Sequence, residues 1–115
     1  MGNMNNVRPL QPAEFTSVID WLVQLPLMQR YGLQPAAALR QFEQAHSAGD
    51  LLLAAETTAG TLGGFAWVMP HGAFGRSAYL RLLGVNPAHA GLGLGGTLLD
   101  AAEAFAASQQ RDLFL

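Results

Sequence analysis

The spacing of apolar residues divides the chain into short strands and amphipathic helices. Residues 7–10 read as a first strand. Pro12 suits the first turn of a helix, where a missing N–H costs nothing. Phe15, Val18, Ile19 and Leu22 then recur at i, i+3, i+4 and i+7, a helical stripe. Pro26 is expected to end that helix, and residues 29–33, with Arg30, Tyr31 and Gly32, to connect it to a second one. Pro35 opens the second helix, Ala38, Leu39, Phe42 and Ala45 form its apolar stripe, and Gly49 is its stop. Residues 51–56 and 62–69 read as strands joined by a hairpin turn at 57–60. A glycine-containing loop at 70–76 leads to a third strand, 77–85. After a glycine-rich segment, Leu98, Leu99, Ala102, Phe105 and Ala106 mark another helix, and residues 111–115 begin an apolar strand.

The order is strand, helix, helix, three antiparallel strands, helix, strand. That is a mixed α/β (α+β mixed-sheet) layout in which an antiparallel run feeds one parallel crossover. A chain of 115 residues makes one domain, 1–115. Half the residues are hydrophobic and 12% are charged, against a usual charged share of about 25%, so the chain folds rather than staying disordered. A net charge of −2 without a basic stripe speaks against nucleic-acid binding. Cysteine is absent, which excludes disulfide scaffolds, thiolate metal sites and cysteine nucleophiles. His46, His71 and His89 lack ligand spacing, so no metal is expected. No apolar run approaches the roughly 18 residues of a membrane span, and the first residues lack the character of a secretory signal. The expectation is a cytoplasmic protein without a membrane partner.

The chemistry concentrates where a strand passes through a loop into a helix. Gly91, Gly93, Gly95 and Gly96 lie there, with Leu92 and Leu94 between them. Glycine lets backbone N–H groups turn inward at φ values other residues resist. At a helix start those donors converge, and the helix dipole adds about half a positive charge. Such a turn binds anions, most often phosphate; the alternative is a turn that merely packs closely. Gly91-x-Gly93-x-x-Gly96 formally matches the dinucleotide fingerprint. In that fold, however, the glycines follow the first strand at once, whereas here residues 86–90 intervene, and two helices and three strands precede the strand that leads into the turn. Asp112 begins a strand, where the ribose-binding acid belongs at a strand's end. A P-loop is excluded because no Gly-Lys-Ser/Thr follows.

Leu83, Val85, Pro87, Gly93, Gly95, Leu98 and Leu99 fall on another pattern. The segment 83–99 resembles motif A of the GCN5-related N-acetyltransferases (GNAT family), which bind acetyl-CoA. The order of elements is also similar to that family's. The resemblance implies an acyl-CoA N-acyltransferase fold that lacks its last helix and two strands. It implies acetyl-CoA as cosubstrate, and a small-molecule or peptide amine as acceptor. Backbone groups of Leu83, Gly84 and Val85 would meet the pantetheine amides, and the amides of 91–96 would cradle the pyrophosphate. The family's Arg or Gln falls at Ala90, and Leu92 replaces an often basic residue. Weaker cofactor affinity is therefore expected.

Amine acetylation needs a base and an acid. By strand alternation Tyr79 and Arg81 share one face with Leu83, and Tyr79 is a candidate acid, the alternative being ordinary strand side chains. Glu56, at a strand end, is a candidate base, the alternative being a solvated carboxylate. His89 could touch a phosphate, Tyr31 could touch the acceptor, and Trp21 and Trp67 are expected in the core. An apolar strand at 113–115 leaves edge groups to pair, so a homodimer through that strand is a further expectation. Two other functions stay open: a CoA-binding or interaction module without catalysis, and a dinucleotide-binding domain.

Overall fold

The computed structural model describes residues 6–73, 77–109 and 112–114. Five strands form one sheet in the order β1-β2-β3-β4-β5: β1 (Asn6–Pro9), β2 (Leu51–Glu56), β3 (Leu62–Ala73), β4 (Ser77–Val85) and β5 (Leu113–Phe114). The first three pairings are antiparallel and β4–β5 is parallel. Helices α1 (Phe15–Leu22), α2 (Pro26–Arg30) and α3 (Pro35–Ala48) cover one face of the sheet, and α4 (Leu94–Ser108) covers the other. The expected mixed α/β order is therefore observed, with one helix more before β2.

That extra helix corrects the reading of Pro26. The first helix ends at Leu22, and Pro26 starts α2, with the fixed φ that suits a first helical position. Gln29 Nε2 donates to Val23 O at 2.7 Å and ties the short helix to the end of α1. Gln29 and Arg30 thus belong to α2, and the connector shrinks to a turn at Tyr31-Gly32, where Gly32 has φ +65°. Gly49 closes α3 in the left-handed region (φ +85°), where Asp50 N–H donates to Ala45 O at 3.0 Å. β3 continues to Ala73 rather than stopping before Pro70, because its far end pairs again with β4 at Ser77. Residues 74–76 of the expected loop, and Arg111 and Leu115 of the expected last strand, lie outside the described residues.

The two faces are packed differently. Beneath α1–α3, Phe42 stacks on Phe65 at 4.8 Å and meets Phe15 and Trp67 edge-on at 5.5 and 6.1 Å. Beneath α4 the side chains are smaller: Leu53, Ala55, Ala66, Val68 and Ala78 receive Leu94, Leu98, Ala102 and Ala106. Glycine sets how closely that helix sits. A Cβ on Gly64 would stand 2.9 Å from Leu98 Cδ1, and one on Gly63 would stand 2.6 Å from Leu94 Cδ1. Arg8 in β1 reaches Glu14 through Nη1 and Nη2 (2.8 and 2.7 Å) and Glu56 through Nε at 2.8 Å. This network staples the start of α1 to the first two strands.

Candidate functional site

β4 changes phase in its middle. Leu82 pairs with Trp67 and Leu80 with Val68, so Arg81 is an unpaired extra residue, a β-bulge. Ala78, Leu80, Leu83 and Val85 pack toward α4, while Leu82 packs with the aromatic cluster and Gly84 lies against Trp21, Leu22 and Leu25. Arg81 sits over the Trp67 ring on that aromatic side. Tyr79 pairs with Met69, which packs on the same cluster. Simple alternation placed Tyr79, Arg81 and Leu83 together; the bulge leaves Tyr79 and Arg81 together and turns Leu83 to the opposite face.

The glycine-rich turn lies beyond the C-terminal end of β4. Asn86 Oδ1 accepts from Ala88 N–H at 3.0 Å and caps a single 3-10 turn, Pro87–His89. Gly91 (φ +85°) and Gly93 (φ +77°) then take left-handed conformations that side-chain-bearing residues resist. Gly93 is the residue before α4, and Thr97 N–H closes the first helical bond onto Gly93 O at 3.1 Å. The amides of Leu94, Gly95 and Gly96 therefore form the first turn, where no helical acceptor precedes them. A Cβ placed on Gly91, Gly93 or Gly96 would meet nothing within 4 Å, so this turn opens outward. Leu94 is different: its side chain is buried at 1% exposure and anchors the helix start to the sheet, while Leu92 stands 51% exposed. His89 is half-buried, its Cβ 3.3 Å from where a Cβ on Gly63 would be.

Trp21 covers Gly84, its Cζ3 3.3 Å from the position of a Cβ there. Its Nε1–H is buried with no acceptor among the described residues. A buried donor left without an acceptor is costly, so a carbonyl arriving at this stretch of β4 would find a ready partner. The open glycine turn, the first-turn amides of α4 and this donor all fit a long ligand carrying phosphate at one end and amides along its length.

On the aromatic face a cavity of about 290 Å³ lies among Leu22, Met28, Phe42, Trp67, Arg81 and Leu82. Tyr31, 76% exposed, stands at its edge. An adjoining hollow of about 350 Å³ shares Gln41, Trp67 and Arg81 and adds Asp50. Arg81 Cζ lies 4.5 Å from the Trp67 ring centroid, a cation–π contact. Asp50 Oδ2 accepts from Trp67 Nε1–H at 2.9 Å and fixes that ring. None of these partners was evident from spacing, because Asp50 follows a helix stop and Arg81 meets Trp67 only through the bulge. Glu56 lies elsewhere: its Oε2 takes the Arg8 Nε–H and stands 2.7 Å from Arg8 Nη2, and β3 separates its strand from β4. The guanidinium of Arg8 holds the Glu14 carboxyl below the usual carboxylate range, opposed by partial burial, and the two carboxylates raise the Arg8 pKa in turn.

A mixed sheet with a glycine turn at the start of its crossover helix defines an α/β domain of mixed sheet topology. The family model described as the acetyltransferase (GNAT) family matches residues 15–115, and the chain belongs to that family. Among solved structures it is similar to YncA, a putative acetyltransferase from Salmonella typhimurium with acetyl-CoA, at 20% identity and TM-score 0.73, covering 95% of this chain and 66% of that one. It is also similar to aminoglycoside 6'-N-acetyltransferase AAC(6')-Ih from Acinetobacter baumannii, at 16% identity and TM-score 0.73, covering 96% and 76%. A spermidine N-acetyltransferase chimera from Vibrio cholerae and hSSAT matches at 18% identity and TM-score 0.73, covering 96% and 67%. No curated protein matches the chain. At these identities the likeness is one of fold, and the chain spans about two thirds of the length of the Salmonella protein.

Proposed function

We propose that the chain binds acetyl-CoA and transfers its acetyl group to a primary amine. The observation that carries this reading is the turn at 91–96: two left-handed glycines lead into the first turn of α4, and the Cβ positions of Gly91, Gly93 and Gly96 face open space. In this reading those amides hold the diphosphate, the backbone of Leu83, Gly84 and Val85 meets the pantetheine arm, and the Trp21 Nε1–H is a further donor beside it.

The neutral acceptor nitrogen attacks the thioester carbonyl carbon. A C–N bond forms and the C–S bond breaks. The nitrogen gives up one proton to solvent, the sulfur gains one, and the products are the N-acetylated amine and free CoA thiol. Tyr79, on the same side of the sheet as Arg81, is the candidate to return the proton to sulfur. Glu56, bound by Arg8, is assigned to the β1–α1 staple. The remaining contribution is orientation of amine against thioester.

Calorimetry with acetyl-CoA, CoA and NAD tests binding, and thiol release with a panel of amines tests turnover. Acetyl-CoA is expected to bind and NAD not to. Binding of NAD without CoA would overturn the reading in favour of a dinucleotide domain. CoA binding without thiol release for any amine would leave the non-catalytic module.

A further inference from the structure

We propose that the cavity between α2, α3 and β4 takes a small acceptor that joins an apolar body to a carboxylate, and that Arg81 is the residue that reads the carboxylate. The proposal rests on the acetyl-transfer reading for its reactive amine, but the cavity is argued from its own walls.

Size comes first. Ligand pockets for drug-sized molecules span roughly 300–1,000 Å³, and this cavity, at about 290 Å³, suits a body of only a few carbons. Leu22, Met28, Phe42 and Leu82 make its lining apolar. Charge comes second. The Arg81 guanidinium has no ion pair among the described residues, and it lies over the Trp67 ring, which Asp50 in turn holds through Nε1–H. An arginine held by stacking still offers its planar fork of donors, which matches a carboxylate. Asp50 is the only acid lining either hollow among the described residues, and its Oδ2 is engaged by the indole. The aminoglycoside and spermidine for which two of the similar structures are named are polycations. A lining of leucine, methionine, phenylalanine and one free guanidinium opposes them.

Position comes third. Arg81 and Leu82 immediately precede Leu83, Gly84 and Val85 on β4. The cavity wall and the proposed pantetheine track therefore adjoin along one strand. A free α-amino acid with an aliphatic side chain meets all three conditions.

The test is binding, read from the Trp67 indole N–H resonance on the full chain titrated with leucine, leucinamide, 4-methylpentanoate and spermidine. Leucine and 4-methylpentanoate are expected to shift that signal at concentrations about tenfold or more below leucinamide, the range carried by a hydrogen bond to a charged group. Spermidine is expected to leave it in place. Arg81→Gln should bring the leucine-to-leucinamide ratio to about one, and Arg81→Lys should restore part of it. Arg81 is exposed, so these variants keep the fold, which near-UV circular dichroism verifies. Equal affinity for leucine and leucinamide, tighter binding of spermidine, or a preference that survives Arg81→Gln overturns the proposal. If leucine binds as expected while acetyl-CoA gives neither heat nor thiol release, the cavity assignment stands and the acetyl-transfer reading falls.

Discussion

The two faces of the sheet hold two kinds of site. Toward α4, the candidate phosphate site is made of backbone: left-handed glycines, first-turn amides and a helix dipole, with no charged side chain in the turn. Toward α1–α3, the candidate acceptor site is made of side chains: an arginine on a tryptophan, an aspartate behind it and an apolar wall. A backbone site needs conformation and tolerates few side chains. A side-chain site needs a packed support, so it inherits every weakness of the core beneath it.

That contrast predicts where damage will travel. Phe42→Ala removes the ring that links Phe15, Phe65 and Trp67, and should cost about 3–5 kcal/mol of stability in urea unfolding. It should also abolish the Trp67 response to leucine, while CoA affinity of the folded protein changes less than about twofold. Loss of CoA affinity equal to the loss of leucine binding would mean that the two faces are not separable.

Glycine substitutions sharpen the other half of the comparison. Gly93→Ala meets open space, so strain alone acts; holding alanine in the left-handed region costs about 1–2 kcal/mol, and CoA should bind roughly tenfold more weakly. Gly96→Ala is the informative partner. Gly96 is helical and its Cβ would also meet nothing, so alanine should stabilise the helix by roughly 0.5–1 kcal/mol. If a diphosphate lies against that amide, calorimetry should still show weaker CoA binding. A stabilised Gly96→Ala with unchanged CoA affinity would remove the diphosphate from that turn.

The same contrast explains what was legible in the sequence. The glycine turn could be read because conformation is written in residue type: Gly91, Gly93 and the leucines at 98 and 99 mark it without knowledge of any partner. Leu22, Phe42 and Leu98 likewise declared themselves through helical spacing, and Gly49 through its place after the stripe. What stayed hidden depends on contacts between distant segments. Nothing in the spacing of Tyr79, Arg81 and Leu83 announces a bulge, because the extra residue exists only relative to the register of β3. Proline misled at Pro26, since the same ring that ends one helix suits the first turn of another. Glu56 looked like a free carboxylate because its partner, Arg8, lies on a strand far away in sequence.

Trp67→Phe tests the support of Arg81 at smaller scale. It removes the hydrogen bond to Asp50 and weakens the ring face under the guanidinium. Each contribution is about 1 kcal/mol, so thermal unfolding should report a loss of about 1–2 kcal/mol. The discrimination between leucine and leucinamide, followed by calorimetry in this variant, should narrow because Arg81 is less firmly placed.

The smallest effect belongs to the staple at β1, outside both sites. Glu14 accepts from Arg8 Nη1 and Nη2, and its Oε1 also accepts from Gln11 N–H at 2.9 Å. These bonds favour the ionised form, so its folded pKa lies below the usual carboxylate range. A carboxyl with a depressed folded pKa binds protons more readily when unfolded. Its contribution is therefore complete above about pH 4.5 and declines as pH falls through the folded value. Arg8, with its pKa raised, stays charged across this window. The pair is partly exposed, at 32% and 26% of side-chain area, so screening holds its worth to under about 1 kcal/mol. Urea midpoints measured between pH 6 and pH 3 should fall more steeply for the parent chain than for Glu14→Gln, and the gap should shrink in high salt. CoA and leucine binding at pH 7 should be the same in both proteins, because the staple touches neither the glycine turn nor the Arg81 cavity.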